Sequence, residues 1–130
     1  MSTYGGNKYF KIDEGLDNRE SLYKSDLMIS DWSGVVLEYA FGLKKPVLFI
    51  DVPRKINNPD HAKINIEPFE VWIREVVGYI ISPQELNKLD DYIKFSFSKK
   101  LSIKDYSKYV YNISNSASIG AKYIYDMLQK

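Results

Sequence analysis

The sequence contains no cysteine, so neither a disulfide nor a thiolate metal site can form within it. It has one histidine, His61, and therefore no second imidazole to complete a histidine-pair metal site. An excess of one charge is also missing. Eighteen basic side chains face 17 acidic ones, and a net charge of +1 gives no footing for nucleic acid, whose dedicated binders usually carry a strong basic excess. No apolar run approaches the roughly 18 residues that span a bilayer. Residues 1–11 are polar and glycine-bearing, without the basic and apolar regions of a signal peptide. These absences predict a soluble, cytoplasmic protein with no metal site and no cofactor.

What is present fits one domain over residues 1–130, long enough to bury a single core. There are no repeats, low-complexity tracts or internal linkers. Residues 8–13 read as a short strand entering a turn at Gly15. Asp17 and Glu20 have capping-box spacing, which predicts a helix over 18–24. Residues 27–30 form a brief apolar run of strand length. Residues 34–41 are apolar almost all round, and Gly42 stands where such a helix would stop. Pro46-Val47-Leu48-Phe49-Ile50 is continuous and β-rich, as in a strand covered on both faces. Residues 51–68 hold three prolines and two adjacent asparagines, the marks of a long loop. A short helix over 69–76 precedes a strand over 78–81. Ser82-Pro83, with Glu85 in the first turn, starts a helix that runs to about Phe95. Residues 103–128 carry apolar side chains at helical spacing in two segments, broken near 112–116. Tyr106, Tyr109, Val110 and Ile113 read as core, and so do Tyr123, Ile124 and Met127.

Short apolar runs alternating with helices predict an open α/β sheet, mostly parallel and Rossmann-like, flanked by helices. Ligands of such sheets sit beyond the carboxyl ends of the strands. That rule selects two segments. The first is Asp31-Trp32-Ser33-Gly34-Val35, leaving the strand over 27–30. Here Ser33 is suited to cap a helix, and Gly34 removes the Cβ that would block an anion from the first free amides. Glu38, four residues beyond Gly34, is the only charge in an apolar helix and needs a partner if buried. A ribose diol would serve, and so would a buried lysine, arginine or backbone amide. The spacing fits a ligand site and a capped core helix equally. The second segment begins at Asp51, where Arg54 and Lys55 follow a strand end. Arginine grips phosphate oxygens through two parallel N–H bonds and lysine acts as a point charge. The same pair also suits a solvated loop. Arg74 is a third candidate cation. Asn57 and Asn58 suit turn geometry, His61 lies in a loop without a partner, and Asp90-Asp91 reads as a solvated face. Phe95 and Phe97, beside Lys99-Lys100, read as a domain boundary.

Ser25-Asp26-Leu27-Met28-Ile29-Ser30-Asp31-Trp32-Ser33-Gly34, continuing to Lys45-Pro46-Val47-Leu48-Phe49, resembles a signature of the CDP-glycerol glycerophosphotransferase family. These enzymes build teichoic acids and related cell-surface polymers. Ser30 stands where the family has threonine, Trp32 where it has tyrosine and Gly34 where it has a second serine. The family's histidine-proline motif is absent. The resemblance covers residues 17–51 and is loose beyond them. It implies the C-terminal half of a GT-B fold, with a CDP-glycerol diphosphate held at the serine turn and helix start. It also implies an N-terminal GT-B half outside this chain, carrying the acceptor and the catalytic base, and contact with the inner face of the cell membrane through the parent enzyme. A glutamate-bearing helix followed by Gly, Lys and Pro-Val is similar, more broadly, to nucleotide-sugar glycosyltransferases and epimerases. Two function classes follow: a transferase donor-site domain, inactive in isolation, or a non-catalytic domain binding a phosphorylated ligand or a protein partner.

Overall fold

Three apolar runs become three parallel strands: β1 (Met28–Ser30), β2 (Val47–Ile50) and β3 (Gly78–Ile81), in the spatial order β1-β2-β3. The structure, a computed structural model, describes residues 6–15, 17–54, 56, 58–98 and 106–129. Met28 pairs with Val47, and Val47 in turn pairs with Gly78, so the strands start in step; β1 ends at Ser30, opposite Phe49, and the other two run one residue further, to Ile50 and Ile81. The central strand is the most deeply covered, with Val47, Leu48 and Phe49 all buried. Its continuous apolar run is what a strand packed on both faces requires.

Helices flank the sheet. Helix α1 (Arg19–Lys24) precedes β1, and α2 (Val35–Glu38), prolonged by a π-helical turn (Tyr39–Leu43), joins β1 to β2. Helix α3 (His61–Ile64) and helix α4 (Phe69–Val77) lie between β2 and β3. After β3 come a 3-10 segment (Pro83–Lys88) and α5 (Leu89–Ser98), and α6 (Ser116–Leu128) lies furthest along the chain. The core joins Val36 of α2 and Tyr39, Ala40 and Phe41 of the π-helical turn to Val47 and Phe49 of β2 and to Ile73 and Val77 of α4. Tyr106 packs edge-on against Phe41, their ring centroids 5.1 Å apart. A polar clasp fixes the entry to β1: Tyr39 donates its hydroxyl to the Ser25 carbonyl at 3.0 Å. Lys45 Nζ donates to the Tyr23 and Ser25 carbonyls at 2.5 and 2.7 Å. The cation thereby satisfies carbonyls at the end of α1, where helices leave theirs unpaired.

Several expectations are corrected. Residues 8–13 form no strand; Asn7 instead holds a turn, its side chain accepting from Tyr9 N and its carbonyl from Phe10 N, and Tyr9, Phe10 and Ile12 stay exposed. The capping box is not built. Asn18 is the cap residue, Asp17 engages Arg19, and Glu20 pairs with Lys24 one turn on. Gly42 does not end its helix, because the left-handed residue is Lys44, at φ 57°. Ser82 does cap the next segment, but its first six residues wind as a 3-10 helix before α5 begins. Residues 107–115 form turns rather than a helix, although Tyr106, Tyr109, Val110 and Ile113 do pack on the core. Tyr123, Ile124 and Met127 are about 60% exposed on α6, which buries no residue among those described. Among the described residues, no helix is long and apolar enough to cross a membrane.

Candidate functional site

Because the strands are parallel, the chain leaves β1 and β2 at one edge of the sheet. Asp31 to Gly34 leaves after Ser30, and Asp51 to Arg54 leaves after Ile50. Trp32 ties the two together: its indole N–H donates to the Val52 carbonyl at 2.8 Å. Asp51 N donates to the Ile81 carbonyl at 2.9 Å, which holds the second loop against the end of β3. The first segment lines a small cleft of about 20 Å³, formed by Asp31, Trp32, Ser33, Glu70 and Arg74 over an apolar floor that includes Val36 and Phe49; the second adjoins it through the Val52 carbonyl on Trp32 and the Asp51 carboxylate on Arg74.

Arg74 dominates the chemistry of this cleft. It rises from α4, and its side chain is only 5% exposed. The guanidinium carbon lies 3.8 Å from the centroid of the Trp32 ring and 5.0 Å from that of Phe49. Nη1 donates to Asp51 Oδ1 at 3.0 Å, on a carboxylate that is half exposed. Nε and Nη2 are buried and have no acceptor among the described residues. A buried donor left unmade costs about 1–3 kcal/mol, and a desolvated cation–π contact returns about 2 kcal/mol. Stacking on Trp32 therefore offsets only part of the cost.

The structure treats the sequence-selected residues unequally. Asp31, Trp32 and Ser33 line the cleft, and Arg54 stands beside it, 5.9 Å from the Trp32 centroid and exposed. Gly34 and Val35 form the turn into α2. The expectation that Ser33 caps this helix is corrected: no side-chain cap closes the turn, and Ser33 contributes its carbonyl, which accepts from Val36 N at 3.3 Å. A Cβ on Gly34 would meet nothing within 4 Å, and its φ of −64° suits any residue. Neither packing nor backbone therefore demands glycine there. Glu38 is corrected as well. It is exposed, so it needs no buried partner, and it faces a separate groove beside Arg19, Tyr23 and Tyr39. Five steps of about 100° along the helix carry it round from the Ser33 side. Lys55 lies outside the described residues, as do Asn57, Lys99 and Lys100.

The other candidates are absorbed by local structure. His61 is exposed on α3, its Nδ1 3.1 Å from the Asn58 carbonyl, and Asn58 also accepts from Asp60 N in a turn. Among the described residues no group of histidine and carboxylate side chains is arranged to hold a metal ion. Asp90 and Asp91 are exposed.

Compared with family models, curated proteins and solved structures, the chain matches none of them. The residue that sequence reasoning ranked too low is Arg74. One signal was available: a lone arginine on the apolar stripe of Val71, Ile73 and Val77 is a charge with no obvious route to water.

Proposed function

We propose that this chain is the donor-binding domain of a CDP-glycerol:glycerophosphate glycerophosphotransferase-like enzyme, the C-terminal half of a GT-B fold acting in cell-surface polymer synthesis. The protein would work in the cytoplasm, reaching the inner face of the membrane through the parent enzyme. The observation that carries this reading is the joining of the two post-strand loops at the carboxyl edge of a parallel sheet, through Trp32 and the Val52 carbonyl. Nucleotide ligands of open α/β sheets occupy such crevices. The β1 turn offers the backbone amides of Ser33, Gly34 and Val35 ahead of the first intrahelical bond, and Arg54 adds a cation above Trp32. Glu38 has no part in this arrangement.

Half a site binds worse than a whole one, so CDP should bind at roughly millimolar strength, about 4 kcal/mol. UDP should follow it. An NMR titration should move the amides of residues 33–35 and Arg54, and Gly34→Asp should abolish the shifts by placing a carboxylate where the diphosphate sits. Unmoved amides at several millimolar CDP, or a Gly34→Asp variant that binds like the parent, would sink the reading.

One observation favours the second class, a non-catalytic binding domain: the sole histidine is turned into a surface turn, away from the cleft. Under either reading the isolated chain should show no glycerophosphate transfer from CDP-glycerol above a buffer blank, since acid–base chemistry needs a positioned group near the acceptor hydroxyl. Robust turnover by these 130 residues would place the machinery within the chain.

A further inference from the structure

Arg74 is a buried cation that the fold leaves half-used. Asp51 holds Nη1, the Trp32 ring covers the guanidinium, and the Nε–Nη2 edge is without an acceptor among the described residues. We infer that this edge is the anion-reading element of the cleft and takes one phosphoryl group of the ligand through two parallel N–H bonds. The inference rests on the donor-site reading only in naming the phosphoryl as part of a nucleotide diphosphate.

Three observations carry it. First, Nε and Nη2 form the side of a guanidinium whose two N–H bonds run parallel, which matches the two oxygens of an oxyanion. With Nη1 anchored and a ring stacked on the plane, that side has little freedom left to lose on binding. Second, the cleft is small, about 20 Å³ and near one water in size, far below the ~300–1,000 Å³ usual for whole small-molecule ligands. What reaches Arg74 is therefore the oxygen edge of a group whose bulk lies outside the cleft, toward Arg54. Third, Ser33 and the β1 turn line the same cleft. A tetrahedral phosphoryl has a third oxygen for these donors after two are taken by the arginine, whereas a carboxylate has none.

Glu70 and Asp31 also line the cleft, yet Arg74 makes its ion pair with Asp51. Glu70 stands one turn before Arg74 on α4, the spacing at which helix residues meet. It is therefore the rival for the fork: a carboxylate that repels a phosphoryl and would occupy its place if it swung across.

The test uses the whole chain and the side-chain Nε–H signals of its three arginines, Arg19, Arg54 and Arg74. Titration with inorganic phosphate, pyrophosphate and CDP should move the Arg74 Nε–H saturably and by more than either of the others, while acetate leaves it in place. Arg74→Lys, which keeps the charge and loses the fork, should weaken pyrophosphate binding at least tenfold. Glu70→Gln should strengthen it severalfold with the melting temperature unchanged. An Arg74 Nε–H unmoved by tens of millimolar pyrophosphate overturns the inference, and so does acetate binding as well as pyrophosphate. It also fails if Glu70→Gln lowers the melting temperature and leaves binding unchanged, because Glu70 is then the native partner of the fork. The wild-type measurement stands even if Arg74→Lys does not fold. If CDP moves the amides of residues 33–35 while Arg74 stays still, this inference falls and the donor site survives. If phosphate and pyrophosphate seat on Arg74 but CDP binds no more tightly than pyrophosphate, the inference stands and the nucleotide reading falls.

Discussion

Replacing Gly78 with alanine should be among the most damaging single-methyl changes in the protein. Gly78 opens β3 opposite Val47 of the central strand. A Cβ there would lie 2.4 Å from the Val47 carbonyl oxygen and 2.8 Å from Cε2 of the Phe49 ring. The ring could turn, but the carbonyl belongs to the β2 backbone, which is held on its other side by β1. Reaching an ordinary contact near 3.4 Å means parting β2 from β3 by about 1 Å at this end, which lengthens ladder hydrogen bonds and disturbs the Val47 and Phe49 packing. Overpacking of this kind typically costs 1–3 kcal/mol, and a contact with immobile backbone belongs at the upper end, about 3 kcal/mol. A domain of this size loses roughly 3–6 °C of melting temperature per kcal/mol, so Gly78→Ala should melt about 10–15 °C below the parent. Urea unfolding with a far-UV circular dichroism readout should show a lower midpoint at an unchanged slope. A variant within 2 °C of the parent would show that β3 does not approach β2 in this way, and the register of the sheet would need revision.

The opposite outcome is expected at Gly34, where a Cβ meets nothing and the backbone is already helical: Gly34→Ala should raise stability by about 0.5–1 kcal/mol, read as a higher urea midpoint. Ile73→Ala, at a fully buried site, should cost about 2–5 kcal/mol, whereas Ile124→Ala on exposed α6 should stay within about 0.5 kcal/mol in the same unfolding assay. The Ser21 hydroxyl and the Gly15 amide hold the Asp13 carboxyl below the usual aspartate range, and Arg19 does the same for Asp17. Since these values are depressed in the folded chain, their contribution is present above the ordinary aspartate value near 3.9 and is lost as pH falls through the folded values. Amide signals of Gly15 and Arg19 should therefore shift below about pH 4 while those of β2 stay in place.

The strands and most helices were legible because each is announced locally. Val47 to Ile50 reads as a buried strand from four residues, and Ser82-Pro83 reads as a helix start from two. What escaped depended on partners distant in sequence. Residues 8–13 have strand-like composition but pair with no strand among the described residues, and the local bonds of Asn7 won instead. Glu20 fitted the capping-box pattern, yet the competing i,i+4 pair with Lys24 took its carboxylate. The α6 face has the apolar spacing of a core helix, but spacing states only that a helix has an apolar side, not that anything lies against it.

The site was legible in position and not in composition, for a related reason. A rule about strand ends needs only the order of the elements, and it picked two loops that do meet, through Trp32 and the Val52 carbonyl. The decisive cation comes from α4, more than forty residues from Trp32, and its role depends on the stacked ring and the anchoring carboxylate rather than on any spacing in its own segment. Glu38 had attractive spacing and Arg74 had none, yet burial reverses their rank. An exposed carboxylate is solvated and can stand alone, whereas a buried guanidinium with two unmatched donors is out of balance until something answers it. Charge then limits what the answer can be. Asp31 and Glu70 line the cleft and Asp51 is paired with Arg74, against only Arg74 and the exposed Arg54, so diffuse attraction for anions is weak there. An anion that binds must do so through directed hydrogen bonds to the fork. Such binding should depend on geometry more than on ionic strength: Arg74→Lys should matter more than raising salt from 50 to 200 mM, which screens the exposed Arg54 far more than a buried contact.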